Sequence, residues 1–289
     1  MYRLEADVAL QTPVLVVALE GWVDAGFGSA GSLACLLRSE TVKVATFDGD
    51  HFLDQRARRP MVHLHNGVNT DITWPETSLR ATRDADGSDV LVLLGPEPDF
   101  HWASFVEGTL ELAKRFGVRL AVGLGCFPAP APHTRAVRLV ATGAPRCAGL
   151  IEAVGRNQGD LEVPAGIGSV MELAFAEAGI DMVTLWARVP HYLAATSFPD
   201  ASVALVEGLA SLTGLRFDTT ELVIAAGEAR LELDQAIASN DDHVTMLAHL
   251  EAVVDAEQDS PLDAAELPTA DELAAELERF LEGHDRGHP

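Results

Sequence analysis

The pattern with the clearest chemical meaning is Gly26-Phe27-Gly28-Ser29-Ala30-Gly31, which matches GxGxxG. In a dinucleotide-binding unit, such glycines allow a tight turn, and pyrophosphate rests on the N-terminus of the following helix. An acid, Asp48, follows at the spacing of such a unit, about 20 residues on. However, the loop of residues 20–25 separates the pattern from the preceding predicted strand, where a dinucleotide site needs an immediate turn. We therefore favour loop flexibility and close packing of helix on sheet over nucleotide binding.

Charged and aromatic side chains follow several predicted strands, where ligand sites of α/β proteins often lie. The candidate ligand-binding residues are Trp22, Asp24, Arg56, Arg58, Arg59, Glu97, Asp99 and His191. Carboxylates can transfer protons, and arginines bind phosphate or carboxylate. Because Glu97 and Asp99 alternate with prolines, we favour a rigid turn there. For the three arginines we favour an ion network with the chain's own acids, such as Asp48, Asp50 or Asp54, over a phosphate site.

Metal and nucleophile patterns are weak. None of the ten histidines forms HxxxH or HExxH, and His63 and His65, on one face of a predicted strand, would still need a third ligand. Neither GxSxG nor a P-loop occurs. Cys126 has no identifiable partner, so an inert core thiol is expected. We therefore predict no metal, no cofactor and no catalytic residue.

The glycine-rich run at residues 164–169 precedes a predicted helix. Its free N–H groups can hold an anion, although capping and turn formation explain the run equally well. Glu172, one turn into that helix, is expected to stabilise the helix dipole.

Apolar runs alternate with helical patterns as far as residue 215. Strands are predicted at residues 14–19, 42–47, 89–94, 119–124, 136–141 and 181–189, and helices at residues 28–37, 102–116, 144–154, 170–178 and 201–213. Residues 61–65 and 71–74 are predicted to form a hairpin around Asn66-Gly67-Val68-Asn69, because Asn-Gly favours the positive φ angles of a turn. The alternation predicts an α/β fold in which a mixed sheet lies between two helical layers.

Composition limits the classes of partner. The formal net charge is −24, which disfavours nucleic acid and anionic lipid as partners. No apolar run reaches the ~18 residues of a membrane helix, and the start of the chain lacks signal-peptide features. The three cysteines are far apart, so a disulfide framework is not expected. We expect a cytoplasmic protein.

The acidic charge is concentrated at the C-terminus. Residues 218–289 contain 19 Asp and Glu against 3 Lys and Arg. Helices are predicted at residues 219–238 and 243–257, a linker at residues 259–268, and a last helix up to residue 281. We predict a domain at residues 1–217 and an acidic helical region at residues 218–289. The acidic region is expected to be a solvated face, with docking of a basic partner as the alternative.

Five segments, in this order, resemble the proteasome assembly chaperone family in its long, actinobacterial-type form. They are Glu20-Gly-Trp-Val-Asp-Ala-Gly26, Gln55-Arg-Ala-Arg-Arg-Pro60, Leu94-Gly-Pro-Glu-Pro-Asp-Phe-His-Trp102, Val163-Pro-Ala-Gly-Ile-Gly168 and Trp186-Ala-Arg-Val-Pro-His-Tyr192. The resemblance covers roughly residues 14–215. It implies a three-layer fold akin to nucleoside phosphorylases. It also implies a self-assembling binding protein rather than a known enzyme.

The resemblance suggests two kinds of partner: copies of the chain itself, for example in a trimer, and proteasome subunits. Family members that dock on proteasome rings can use a C-terminal hydrophobic-Tyr-any tripeptide. Since this chain ends Gly287-His288-Pro289, we do not expect that docking mode. The alternative function is an enzyme or small-molecule sensor of the nucleoside-phosphorylase-like class, with its pocket at the carboxyl ends of the strands.

Overall fold

The computed structural model describes residues 1–21, 23–157 and 159–259. The strands, in chain order, are β1 (Tyr2–Leu4), β2 (Val14–Glu20), β3 (Val42–Phe47), β4 (Met61–His65), β5 (Val68–Thr73), β6 (Ser78–Arg83), β7 (Asp89–Pro96), β8 (Leu120–Ala129), β9 (Leu139–Gly143) and β10 (Met182–Pro190). The helices are α1 (Gly28–Leu36), α2 (Gly49–Phe52), α3 (Trp102–Arg115), α4 (Ala148–Val154), α5 (Ile167–Glu177), α6 (Pro199–Thr213), α7 (Thr220–Ala238) and α8 (Asp241–Asp259).

Within the described residues, eight strands form one mixed sheet in the order β1-β3-β6-β7-β2-β8-β10-β9. The four strands β7, β2, β8 and β10 are parallel, and the remaining pairings are antiparallel. The parallel strands are continuous apolar runs, because both of their faces are covered by helices. Their carboxyl ends meet at one edge of the sheet, which we call the carboxyl edge.

Two apolar cores separate the sheet from its two helical layers. One core joins alternate residues of the central strands, such as Val16 and Leu185, to α1, α4, α6, α7 and α8. The other joins the intervening residues, such as Leu15 and Met182, to α2, α3 and α5. This arrangement confirms the predicted three-layer mixed-sheet fold with a helical C-terminal extension.

Within the described residues, the predicted strands and helices are present, with shifted ends. The hairpin of β4 and β5 turns at Asn66 and Gly67, whose φ angles are 50° and 80°. Its second strand begins at Val68, three residues earlier than predicted. The sequence patterns did not predict β1 or β6.

Both described C-terminal helices pack against the sheet domain. Ile237 of α7 and Leu250 of α8 are buried in the same core as the sheet. Arg135 donates two hydrogen bonds of 2.8 Å to the carboxylate of Asp255 and one of 3.0 Å to Glu251. These pairs hold α8 to the segment that follows β8. The predicted last helix lies outside the described residues, and the boundary at residue 217 stays a prediction.

Candidate functional site

Asp24 occupies the position at which a dinucleotide site would hold its phosphate. Its Oδ1 accepts a hydrogen bond of 2.9 Å from the backbone N–H of Ser29, and its Oδ2 accepts one of 3.1 Å from Ala30. These N–H groups lie in the first turn of α1, where a helix lacks internal acceptors. The chain's own carboxylate therefore fills the anion position of the GxGxxG pattern.

The glycines of this pattern are explained by close packing. A Cβ on Gly28 would lie 2.4 Å from Sγ of Cys126 and 2.9 Å from Cβ of Ala201, and a Cβ on Gly31 would lie 2.3 Å from Oγ of Ser202. Thus α1 packs directly on β8 and α6 at positions without side chains. The interpretation favoured from the sequence, close packing of helix on sheet, agrees with this geometry.

Replacing Asp24 with alanine is expected to lower the free energy of unfolding by about 1–2 kcal/mol, because two helix N–H groups lose their acceptors. Asp24→Asn keeps one acceptor oxygen, and its loss should be smaller. Urea unfolding followed by circular dichroism measures both variants. Unchanged unfolding midpoints in both variants would show that the cap does not stabilise α1.

The basic segment meets one of the two acids after β7, Asp99, beside α2. Nε of Arg58 lies 3.4 Å from Oδ2 of Asp99, which also accepts a hydrogen bond of 2.8 Å from the backbone N–H of Asp54. The N–H groups of Asp99 and Phe100 both donate to the carbonyl of Phe52. Asp99 thus belongs to a fixed turn, while the side chains of Arg56 and Arg59 are exposed.

Glu97 lies apart from Asp99, beside the N-terminus of α5. Its Oε2 accepts a hydrogen bond of 3.4 Å from the backbone N–H of Ile167, the first residue of that helix. The same oxygen would lie 3.6 Å from a Cβ on Gly21. Glu97 therefore provides the anion for the glycine-rich run at residues 164–169.

His191 follows β10 and packs edge-on against the ring of Tyr192. Its Nδ1 is buried and has no hydrogen-bond partner among the residues that the structure describes. The hydroxyl of Tyr192 lies 2.7 Å from Nδ1 of the buried His133, which in turn contacts the C-terminal helix α7. Nε2 of His133 lies 3.0 Å from Asp234 of α7, and burial raises the pKa of Tyr192 to about 12.

The candidate residues therefore follow the carboxyl ends of different strands and divide into separate groups. Arg58 and Asp99 form one pair, whereas Asp24, Glu97 and His191 contact different elements. Trp22 lies outside the described residues. No cluster of three or more His, Cys, Asp or Glu side chains in the described ranges is arranged to hold a metal ion. The single ligand pocket proposed from the sequence stays a prediction.

A buried acid between α5 and the sheet was not among the candidates. Glu172 is 6% exposed, and its Oε1 accepts hydrogen bonds of 2.8 Å from the hydroxyl of Thr142 and 2.5 Å from that of Thr184. Trp186 donates to the hydroxyl of Thr142 over 3.0 Å. Burial, the dominant cause, raises the pKa of Glu172 despite these donors. Its expected role at the helix dipole is replaced by contacts with β9 and β10.

One signal for this cluster was present in the sequence. Gly123 and Gly125 alternate on β8, and an added Cβ would lie 2.7 Å from Thr184 and 2.5 Å from Trp186. Glycine inside a strand often marks close approach of another group. The two glycines therefore make room for the side chains that flank Glu172.

The hairpin of β4 and β5 carries several exposed apolar side chains. All eleven of its strand residues are exposed. Val62 pairs with Ile72, so these two side chains share a face, and Leu64 lies two residues further along β4. We call Val62, Leu64 and Ile72 the hairpin face; their exposed fractions are 42%, 60% and 45%.

These observations define a class of protein, a three-layer α/β protein with an exposed apolar face on a hairpin. The acids at its carboxyl edge accept hydrogen bonds from the chain's own backbone N–H groups. Contiguous exposed apolar surface commonly marks a protein–protein contact. None of the described helices is long and apolar enough to cross a membrane.

Comparison with known proteins identifies the family. The PAC2 family model matches residues 18–237, so the chain belongs to the PAC2 family, which includes proteasome assembly chaperones. The matched region extends to α7, beyond the resemblance seen in the sequence. No curated protein matches the chain.

Solved structures support this assignment. A Mycobacterium tuberculosis protein of unknown function, Rv2714, is 35% identical, with a TM-score of 0.82 over 90% of each chain. The Mycobacterium tuberculosis proteasome-assembly chaperone homologue Rv2125 is 28% identical, with a TM-score of 0.74 over 81% of this chain and 99% of that chain. Pyrococcus furiosus PbaB, an archaeal proteasome activator, shares the fold at 15% identity, with a TM-score of 0.64 over 82% and 98% of the two chains.

Proposed function

We propose that this chain is a non-catalytic, self-assembling protein-binding protein that acts in the cytoplasm as an assembly chaperone for proteasome-like complexes. The observation that carries the proposal is the uncovered hairpin face. The relationship to a proteasome-assembly chaperone homologue supports the choice of partner.

A two-stranded hairpin is marginally stable in water and needs packing against another element. Here the strands are exposed along their whole length, and Val62, Leu64 and Ile72 place apolar side chains on one face. Burial of such side chains stabilises a contact by about 25 cal/mol per Å² of apolar surface. A protein partner that covers this face would both order the hairpin and gain binding energy.

Leu64→Glu is the direct test of self-assembly, because it places a charge on the hairpin face without disturbing a buried residue. We expect the parent chain to form a homo-oligomer and the variant to have the 30.8 kDa mass of one chain. Size exclusion with light scattering measures the masses. Leu173→Glu on α5 is the matched control, since both leucines are 60% exposed. A parent chain that is already monomeric, or equal masses for Leu64→Glu and the parent, would contradict the proposal.

The chaperone role needs a separate experiment. The tagged parent chain, drawn from a native lysate under mild conditions, is expected to carry proteasome subunits identified by mass spectrometry. Recovery of a different partner with no proteasome subunit would remove the main support for this role while leaving self-assembly intact.

The alternative function, an enzyme or small-molecule sensor, gains less support. Asp24, Glu97 and Asp99 each hydrogen-bond to backbone N–H groups of the chain itself. A cavity near Arg135, Pro190 and Val254 has a volume of about 10 Å³, which is about the space of one water molecule. Binding of a nucleoside there would require α8 to move.

A further inference from the structure

We propose that the hairpin face of one copy docks on the exposed side of α7 of a second copy, so that the subunits associate head to tail. The inference rests on the self-assembly proposed above and adds the identity of the receiving surface. It is carried by two exposed apolar surfaces on different parts of the chain, one preceded by arginines and the other flanked by glutamates.

The segment that leads into the hairpin is basic, although the chain as a whole is acidic. Residues 51–74 contain three arginines and two aspartates, whereas the whole chain has a net charge of −24. Arg56 and Arg59, which precede the hairpin, are exposed. Along the chain, the hairpin face therefore comes shortly after two exposed guanidinium groups, which can bind carboxylates of a partner.

The receiving surface is the side of α7 that faces away from the sheet. Ala226 and Ile237 bury the opposite side of this helix. Ile224, Gly227 and Leu231 are spaced i, i+3 and i+7 and so share one face of the helix. Ile224 and Leu231 are 56% and 64% exposed, and a Cβ on Gly227 would meet nothing within 4 Å. We call this surface the α7 face.

Acidic side chains flank the α7 face. Glu228 and Glu232 are exposed beside Leu231, and residues 218–259 contain eleven acids against the single Arg230. An arginine-flanked apolar hairpin and a glutamate-flanked apolar helix are complementary in both polarity and charge. Such complementarity steers association and selects the register of a contact.

Contacts between identical surfaces are less favourable. Two hairpins brought together would place arginines near arginines, and two α7 faces would place glutamates near glutamates, which costs free energy through like-charge repulsion. The hairpin lies between α2 and β6 in the chain. α2 packs on one face of the sheet and α7 on the opposite face, so the two surfaces lie on different parts of the molecule. A contact between unlike surfaces of two copies generates a ring when its rotation closes, as the expected trimer requires.

Mixing two defective variants tests this geometry. Leu64→Glu disables the hairpin face and leaves α7 intact, while the double variant Ile224→Glu/Leu231→Glu disables the α7 face and leaves the hairpin intact. Each variant alone is expected to have the mass of one chain. An equimolar mixture should form a species of twice the 30.8 kDa chain mass, because one intact hairpin can still meet one intact α7 face.

The outcomes separate the two proposals. If Ile224→Glu/Leu231→Glu assembles like the parent while Leu64→Glu does not, self-assembly stands and the α7 face is wrong. If both variants are monomeric and their mixture stays monomeric, the contact is not head to tail. If neither variant changes the mass, the hairpin proposal fails as well.

A charge exchange keeps the test decisive should the double glutamate variant unfold, which circular dichroism would show. Arg56→Glu/Arg59→Glu and Glu228→Arg/Glu232→Arg each alter exposed residues only. Each is expected to weaken assembly, and a chain that carries all four changes should regain it. Absence of recovery in the combined variant would overturn the pairing of these two surfaces.

Discussion

Gly28→Ala is expected to lower the free energy of unfolding by about 2–3 kcal/mol, because overpacking a close contact forces backbone and side-chain shifts. The new Cβ would lie 2.4 Å from Sγ of Cys126 and 2.9 Å from Cβ of Ala201, and all three groups are buried. Ala201 cannot rotate away, because its Cβ is fixed to the backbone, and Sγ of Cys126 lies in a buried site with little space for another rotamer. The strain must therefore separate α1 from either the sheet or α6.

Urea unfolding of the parent and the variant measures this effect. Gly149→Ala is the matched control, because a Cβ on Gly149 of α4 would meet nothing within 4 Å. Alanine exceeds glycine in helix propensity by about 1 kcal/mol, so the control should be slightly more stable than the parent. If both alanine variants shift the midpoint equally, the small residues of α1 do not determine its packing.

The same contact shows what the GxGxxG pattern could reveal. The pattern correctly located a strand, a loop and a helix, and the length of residues 20–25 argued against a dinucleotide site. The glycines are required because α1 packs closely on Ala201 and Ser202, which lie about 170 residues away in the chain. A local pattern does not contain that contact.

Long-range pairing also explains the missed strands. β6 contains polar residues and two arginines and has no continuous apolar run. It becomes an internal strand because Leu79 and Ala81 pair with Leu93 and Leu91 of β7, and because β3 covers its other edge. The hairpin, by contrast, was predictable because Asn66 and Gly67 determine its turn locally.

The site showed the same division between local and distant information. The prolines beside Asp99 agree with the fixed turn that contains it, whereas Glu97 contacts the N-terminus of α5. Arg58 pairs with Asp99, an acid that was not among the partners expected for the three arginines. The hydrogen bonds of the buried Glu172, in contrast, come from Thr142 of β9 and Thr184 of β10. Side chains whose role is set by such distant partners are not identified by spacing along the chain.

Glu172→Leu is expected to lower the free energy of unfolding by about 2 kcal/mol, since the buried hydroxyl of Thr184 loses its acceptor. Glu172→Gln retains a carbonyl oxygen for the hydroxyls of Thr142 and Thr184, so its loss at low pH should be smaller. Glu177→Gln, at an exposed position of the same helix, is the control for removing a charge.

The pH dependence distinguishes a buried acid from a simple packing residue. Burial raises the pKa of native Glu172 above its ordinary value of 4.5, so above pH 4.5 the native state binds more protons than the unfolded state. The stabilisation is fully present below that value and is lost as pH rises through the native pKa. Glu172→Gln lacks this titration, and its stability relative to the parent should therefore increase from pH 4.5 to pH 8. Urea unfolding across this range measures the difference. A difference that is constant with pH, or that changes equally in Glu177→Gln, would show that burial against the sheet does not raise the pKa of Glu172.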